Sequence, residues 1–218
     1  MPEINMNIKL PEPTLHRLPW YLAYVKLVQA QGIEYISSTQ ISKAIHVDAS
    51  QIAKDLSFVN ISGKTRVGYE VNSLVYVLEQ FLGFTSQHRA IVYGVGRLGA
   101  ALMHDSGLAQ YGLEIVAGFD IRKFQQENYI NNIPVYHIDD FAQRRAELDV
   151  QIGILTVPVN QAQEAADYMV ANGIKAIWNF TPYRLHVPEN IVIQDTSIYA
   201  HLAVMFNRLG NIQEKERK

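Results

Sequence analysis

The stretch that most restricts this chain is Gly94-Val95-Gly96-Arg97-Leu98-Gly99, which follows the apolar run Ala90-Ile91-Val92-Tyr93 and leads into Ala100-Ala101-Leu102-Met103. A β-branched run, a G-x-G-x-x-G and a helix-forming segment, in that order, specify a strand, a tight turn and a helix, the opening of a dinucleotide-binding α/β unit. Gly94 permits the turn, Gly96 lets bare backbone approach a pyrophosphate, and Gly99 lets the helix pack closely on its strand. Unpaired N–H groups at the helix start then hold the phosphates. A second strand-like run, Glu114 to Phe119, ends in Asp120, 21 positions after Gly99. A carboxylate there accepts hydrogen bonds from the adenine ribose hydroxyls and repels a 2′-phosphate, which favours NAD(H) over NADP(H). Arg122 and Lys123 follow closely and can blur that preference. Val95, Arg97 and Leu98 of the motif, with Pro158 at the end of a later strand, complete the candidate cofactor-binding set. A glycine turn in an α/β sheet without this ligand, or a related nucleotide site, is the other reading.

The flanking segments sort into two domains. After an N-terminal arm, Met1 to Pro13, the segment from Leu18 to Gln31 has a helical apolar period with Pro19 in its first turn. Ser37 or Ser38 caps a short helix, Thr39 to Ile45, and a third helix runs from Ala49 to Val59, so that the pair forms a helix-turn-helix. Gly63 to Val71 reads as a hairpin wing, and Asn72 to Leu82 as a further amphipathic helix. The second helix of the pair would present Ser50, Gln51, Lys54 and Ser57 to a DNA major groove, with Lys64 and Arg66 on the wing. The segment through Phe84 carries no net charge, so the basic footprint is local, and a small solvated basic face is the alternative.

Beyond Thr85 to His88, the linker, strands and helices alternate. The polar stretch Phe124 to Asn132 reads as a loop and Ile133 to Tyr136 as an edge-like strand. Asp139 or Asp140 caps a helix through Leu148, and Val150 to Val157 is a buried strand. Asn160 caps the helix Gln161 to Ala171, and Ala176 to Phe180 and Ile191 to Ile193 are strands. Alternation of this kind makes a parallel, doubly wound sheet, which binds ligands beyond the carboxyl ends of its strands. Thr196 or Ser197 caps a last helix with two apolar stripes, and the charged end from Gln213 to Lys218 reads as frayed. The fold class expected is therefore α/β with an N-terminal winged helix-turn-helix. The domains are 1–84, a DNA-binding domain; 85–195, a Rossmann NAD(H)-binding domain; and 196–218, a helix and tail, either a dimerisation helix at a subunit interface or one buried within its own domain.

Composition closes several routes. The absence of cysteine excludes disulfides, thiolate metal sites and cysteine nucleophiles, and a formal net charge of −2 gives no global sign of a nucleic-acid partner. No run is long enough to span a bilayer and the start does not read as a signal peptide, which points to a cytoplasmic protein. The seven histidines are scattered, with no i, i+4 pair for a metal. No group for proton transfer and no second wall for a substrate is evident, so the chain reads as one that binds a dinucleotide rather than reacts it, and not as an enzyme. A small NAD-dependent oxidoreductase and a CoA- or nucleotide-binding module are the alternatives.

Several stretches, in order, resemble the Rex family of redox-sensing transcriptional repressors: HRLPWYLAYVK, ISSTQISKAIHVDASQIAKDLS, GKTRVGYEV, GVGRLGAAL, VAGFD, GILTVP and KAIWNFTP. The resemblance implies a winged-helix homodimer with swapped C-terminal helices, held on operator DNA when free or bound to NAD⁺ and released by NADH. It also implies that Arg17 and Asp195 form an inter-subunit ion pair that acts as a switch. Three departures stand out: Ala53 where the family usually has an arginine in the recognition helix, Asn60-Ile61-Ser62 before the wing glycine, and Thr196 after Asp195.

Overall fold

The computed structural model describes residues 10–123 and 128–216, which divide into two compact units, Met1–Ser86 and Gln87–Lys218. The first nine residues of the expected arm, residues 124–127 of the expected loop and the last two residues of the tail lie outside the described residues.

In the first unit, α1 (Glu12–Ala30) begins well before Leu18, with Pro13 in its first turn and Pro19 in its interior. The expected start at Leu18 is corrected by this. Pro19 lacks the N–H that would have met the Leu15 carbonyl, and Leu15 stands at an exposed position where water can serve that oxygen. A short strand, β1 (Tyr35–Ile36), precedes α2 (Ser38–Ile45). Ser37 and Gln40 cap α2 reciprocally in a capping box, a feature worth about 1 kcal/mol. His46 turns the chain in the left-handed region, and the Asp48 carboxylate then caps α3 (Ala49–Phe58) through the Ser50 and Gln51 N–H groups. The wing is smaller than a hairpin. Lys64 and Gly68 form one isolated bridge around the turn, and β2 (Tyr69–Glu70) pairs antiparallel with β1 rather than with a hairpin partner. Glu70 caps α4 (Val71–Phe81), and Leu18, Tyr21, Leu22, Ile41, Ile52, Leu56, Leu74 and Leu78 close one core between the helices.

The second unit opens with β3 (His88–Tyr93), followed by α5 (Arg97–His104), the short α6 (Gly107–Gln110) and β4 (Leu113–Asp120). Then come β5 (Asn128–Ile130), β6 (Ile133–His137), α7 (Phe141–Leu148), β7 (Ile152–Leu155), α8 (Ala162–Ala171), β8 (Ala176–Asn179), β9 (Val192–Asp195) and α9 (Ile198–Glu216). The described residues of this unit form one sheet in the order β5-β6-β4-β3-β7-β8-β9, parallel except for β5. Its two faces carry separate apolar clusters, one including Ile91, Phe119, Phe141 and Met169 and the other Val92, Met103, Val135 and Ile154.

Four expectations change here. Ile133 to Tyr136 is not an edge, because Asn131 and Asn132, both at positive φ, turn the chain from β5 into β6, as a two-residue hairpin requires. Pro134 lies one residue before the β4 ladder begins at Gly118 and Val135, so its missing N–H costs that ladder nothing. Neither Asp140 nor Asn160 caps a helix through its side chain: α7 and α8 each follow a 3-10 turn, Ile138–Asp140 and Val159–Gln161, whose tighter backbone bonds occupy N–H groups that a cap would have met. At the C-terminus the helix persists to Glu216, through residues that their charge had marked as frayed.

Candidate dinucleotide site and nucleic-acid interface

The glycine turn stands where β3 meets α5. Gly94 has φ +97°, and a Cβ there would lie 2.7 Å from Cγ1 of Val157, so both conformation and space require glycine. A Cβ on Gly99 would press on the Gly94 carbonyl oxygen and, at 2.9 Å, on Oγ1 of Thr156. The Thr156 hydroxyl also donates to the Gly94 carbonyl at 2.6 Å, which ties the end of β7 to the turn. A Cβ on Gly96 would meet nothing within 4 Å. That space lies in front of the first turn of α5, whose N–H groups have no intrahelical partner, and it gives room for an anion.

Across the turn, Asp120 ends β4 and is only 7% exposed. Its Oδ2 accepts the Val95 N–H at 2.9 Å, and its Oδ1 accepts the Arg122 N–H at 3.0 Å and the Arg122 Nε at 2.8 Å. Burial alone would raise its pKa, but the Arg122 guanidinium and the two backbone donors outweigh that and hold it below the ordinary carboxylate range. A cavity of about 710 Å³ runs past these groups, lined by Gly94, Gly96, Asp120, Ile121, Arg122, Ile138, Thr156, Val157, Pro158 and Tyr168 among others. Its size suits a cofactor. Of the residues singled out in the sequence, Gly94, Gly96, Asp120 and Pro158 line it. Val95 is buried behind it with its N–H given to Asp120, Gly99 is buried in α5, and Arg97 and Leu98 are exposed on α5. Tyr93, half-hidden in the pattern as the last residue of β3, also lines it, beside Phe141 and Tyr168, and burial pushes its hydroxyl up to about 12.

In the first unit, Ser50, Lys54 and Ser57 lie on the exposed side of α3, and Lys64 and Arg66 are exposed on the wing, Arg66 at φ +66°. Ser50 Oγ donates to Asp48 at 2.5 Å and Ser57 Oγ to the Lys54 carbonyl at 2.7 Å. Gln51 differs: it is half-buried and its amide donates to Asp55 Oδ1 at 2.8 Å. Asp55 is fully buried and accepts also from Thr14 Oγ1 at 3.0 Å, Tyr21 Oη at 2.7 Å, and Arg17 through Nε at 2.7 Å and a terminal nitrogen at 2.8 Å. Desolvation opposes its charge, yet these donors hold it at about 2. Asp195, in the other unit, accepts from the Asn179 amide at 2.7 Å. Arg17 and Asp195 thus each have a partner within their own unit. The period of α3 puts Asp55 on the same face as Ile52, Leu56 and Val59, so a charge on the apolar stripe is the sequence signal that could have found it; what the sequence does not show is which donors meet it there.

Comparison with known proteins decides the family. The redox-sensing transcriptional repressor Rex of Bacteroides fragilis is 62% identical over 204 residues, 94% of this chain and 93% of the relative, and that of Porphyromonas gingivalis is 58% identical over 95% of each. This chain belongs to the Rex family. Residues 9–57 match the family described as "Putative DNA-binding protein N-terminus" and residues 85–183 the family described as "CoA binding domain". Among solved structures, the Rex-family repressor RSP in complex with β-NAD⁺ and operator DNA is 30% identical, with a TM-score of 0.89 and 96% of each chain covered. RSP in complex with β-NADH matches with a TM-score of 0.84, covering 95% of this chain and 98% of that one. The Rex relatives are transcriptional repressors and not enzymes, and the α/β fold with a helical N-terminal unit is theirs.

Proposed function

We propose that this chain is a DNA-binding repressor that senses the NADH/NAD⁺ ratio, NADH releasing a homodimer from operator DNA. What most supports the reading is Asp120. It is a buried, ionised carboxylate at the end of β4, across a cofactor-sized cavity from the open N-terminus of α5, in a chain whose other unit holds a helix-turn-helix. The residues present fit NAD(H). Asp120 would receive the adenine ribose, Ile121 and Ile138 give apolar walls for the adenine, and the α5 start with its clear space at Gly96 would meet the pyrophosphate. Gly94 and Gly99 shape the turn, Val95, Arg97 and Leu98 are the remainder of the motif, and Pro158 closes the wall opposite. The cofactor supplies its redox state as the signal.

On the nucleic-acid side, Ser50, Gln51, Lys54 and Ser57 would face the major groove with Lys64 and Arg66 from the wing. Gln51 does so only by leaving Asp55, so its role is to hold α3 unless the complex frees it. Residues 1–84 would be the DNA-binding domain, 85–195 the dinucleotide domain and 196–218 the dimerisation helix and tail. That helix exposes Tyr199, Val204, Met205, Phe206, Leu209 and Ile212, an apolar surface that suits exchange with a second copy. Arg17 and Asp195 of different subunits would then pair, each giving up its present partner. Ligands act on such a dimer only through their differential affinity for its two arrangements. No described helix is long and apolar enough to cross a membrane, and among the described residues no group of acids and histidines could hold a metal. A cytoplasmic protein with no metal fits this role. The oxidoreductase and CoA-module readings are not favoured beside repressor relatives.

The test is fluorescence anisotropy of a labelled palindromic operator with the purified chain, titrated with NADH and then with NAD⁺. Release by NADH and not by NAD⁺ is expected. Binding indifferent to both removes the sensing step, and no binding removes the repressor.

A further inference from the structure

A carboxylate offers about four lone-pair sites, and the chain itself fills those of Asp120. Two are taken by the backbone N–H groups of Val95 and Arg122, the others by the Arg122 guanidinium, through Nε at 2.8 Å to Oδ1 and a terminal nitrogen at 3.3 Å to Oδ2. The same terminal nitrogen donates to the Val95 carbonyl, so the guanidinium bridges the end of β4 and the glycine turn. Arg122 lines the cavity and its side chain is 59% exposed, which leaves it able to move away.

A ribose presenting two hydroxyls to Asp120 must therefore displace the guanidinium. A 2′-phosphate need not. Its anionic oxygens suit the planar fork of arginine as a carboxylate does, so phosphate and Asp120 can share Arg122, which screens one from the other. We infer that Arg122 is a built-in occupant of the ribose-accepting carboxylate and the residue that sets how far the site separates a 2′-hydroxyl from a 2′-phosphate. The inference rests on the dinucleotide reading above and adds a ligand class to it, the 2′-phosphorylated dinucleotides that an acid at this position ordinarily excludes. Position explains why the residue two beyond the acid does this: its own N–H already meets Oδ1, so its side chain is delivered back over the same carboxylate.

The experiment measures Kd for NADH and for NADPH by calorimetry with the intact chain and with Arg122→Ala, after thermal unfolding has shown both to be folded. Losing the guanidinium should tighten NADH binding, because nothing then has to leave Asp120, and weaken NADPH binding. The ratio of the NADPH to the NADH Kd should rise about tenfold, the size expected for one charge-assisted contact. A ratio unchanged by the substitution, with NADH still bound, overturns the role of Arg122 alone. Failure of the intact chain to bind NADH overturns the dinucleotide reading, and this inference with it.

Discussion

Arg17 and Asp55, 38 residues apart, are joined by two hydrogen bonds of 2.7 and 2.8 Å that pin α3 to α1 from inside the helix-turn-helix. Asp55 is one turn past Gln51 and one residue past Lys54, so the helix proposed to meet DNA is held by an acid on the side away from its exposed residues. Tyr21 and Thr14 complete the ring of donors from α1.

Removing that acid should be costly. Asp55→Ala leaves the Arg17 guanidinium without its counter-charge and three other donors unmet, and about 3 kcal/mol of stability should be lost from the first unit. Urea unfolding followed by Trp20 fluorescence, in a Trp178→Phe background so that only α1 reports, measures it. A loss below 1 kcal/mol would show the ring to be incidental.

The same group sets an acid limit. Its pKa, about 2 when folded, lies below the ordinary 3.8, so the unfolded chain binds the proton more readily. The stabilisation is fully present above about pH 4 and disappears as pH falls through 2, amounting to about 2 kcal/mol. Unfolding at pH 6, 4 and 2.5 should show this slope in the intact chain and lose it in Asp55→Asn.

The glycines of the turn should separate by function. Gly99→Ala has no room against the Gly94 carbonyl and should lower the melting temperature of the second unit. Gly96→Ala finds open space, so stability should stay within about 0.5 kcal/mol. If that space receives a pyrophosphate, the added methyl should weaken NADH binding all the same. Calorimetry on both variants distinguishes them; equal NADH affinity in Gly96→Ala and the unaltered chain would place the phosphates elsewhere.

Asp120→Ala should weaken NADH binding and leave basal operator binding intact, as calorimetry and anisotropy can each report. Lys54→Ala and Arg66→Ala should lower operator affinity across sequences, each reducing the slope of log K against log salt by about 1 if the side chain meets a phosphate. An unchanged slope removes that side chain from the interface.

The outline of both units was legible because it rests on local patterns. Glycine spacing, the distance from Gly99 to Asp120 and the alternation of apolar runs act within a few turns of the chain. What escaped depends on contacts distant in sequence. Asp55 stands out in the sequence only as a charge on the stripe of Ile52, Leu56 and Val59; that Thr14, Arg17 and Tyr21 of α1 meet it there depends on contacts 34 to 41 residues away. Tyr35-Ile36 is too short to show strand periodicity and exists because β2 pairs with it. Asn131-Asn132 between two isoleucines is a hairpin signal that the sequence does carry, and it is what makes β5 and not β6 the edge. Arg122 was placed beside the acid by sequence, but its fold back onto both carboxylate oxygens is a matter of side-chain path.

Within α3, Ile52, Asp55 and Leu56 are fully buried, whereas Ser50, Lys54 and Ser57 are exposed and Ala53 lies between. The side chains that hold this ten-residue helix are thus different from those proposed to meet DNA. Substitution at the outward positions leaves the anchor untouched. If those outward side chains meet DNA, the target sequence can change one side chain at a time while the buried acid keeps α3 in its place.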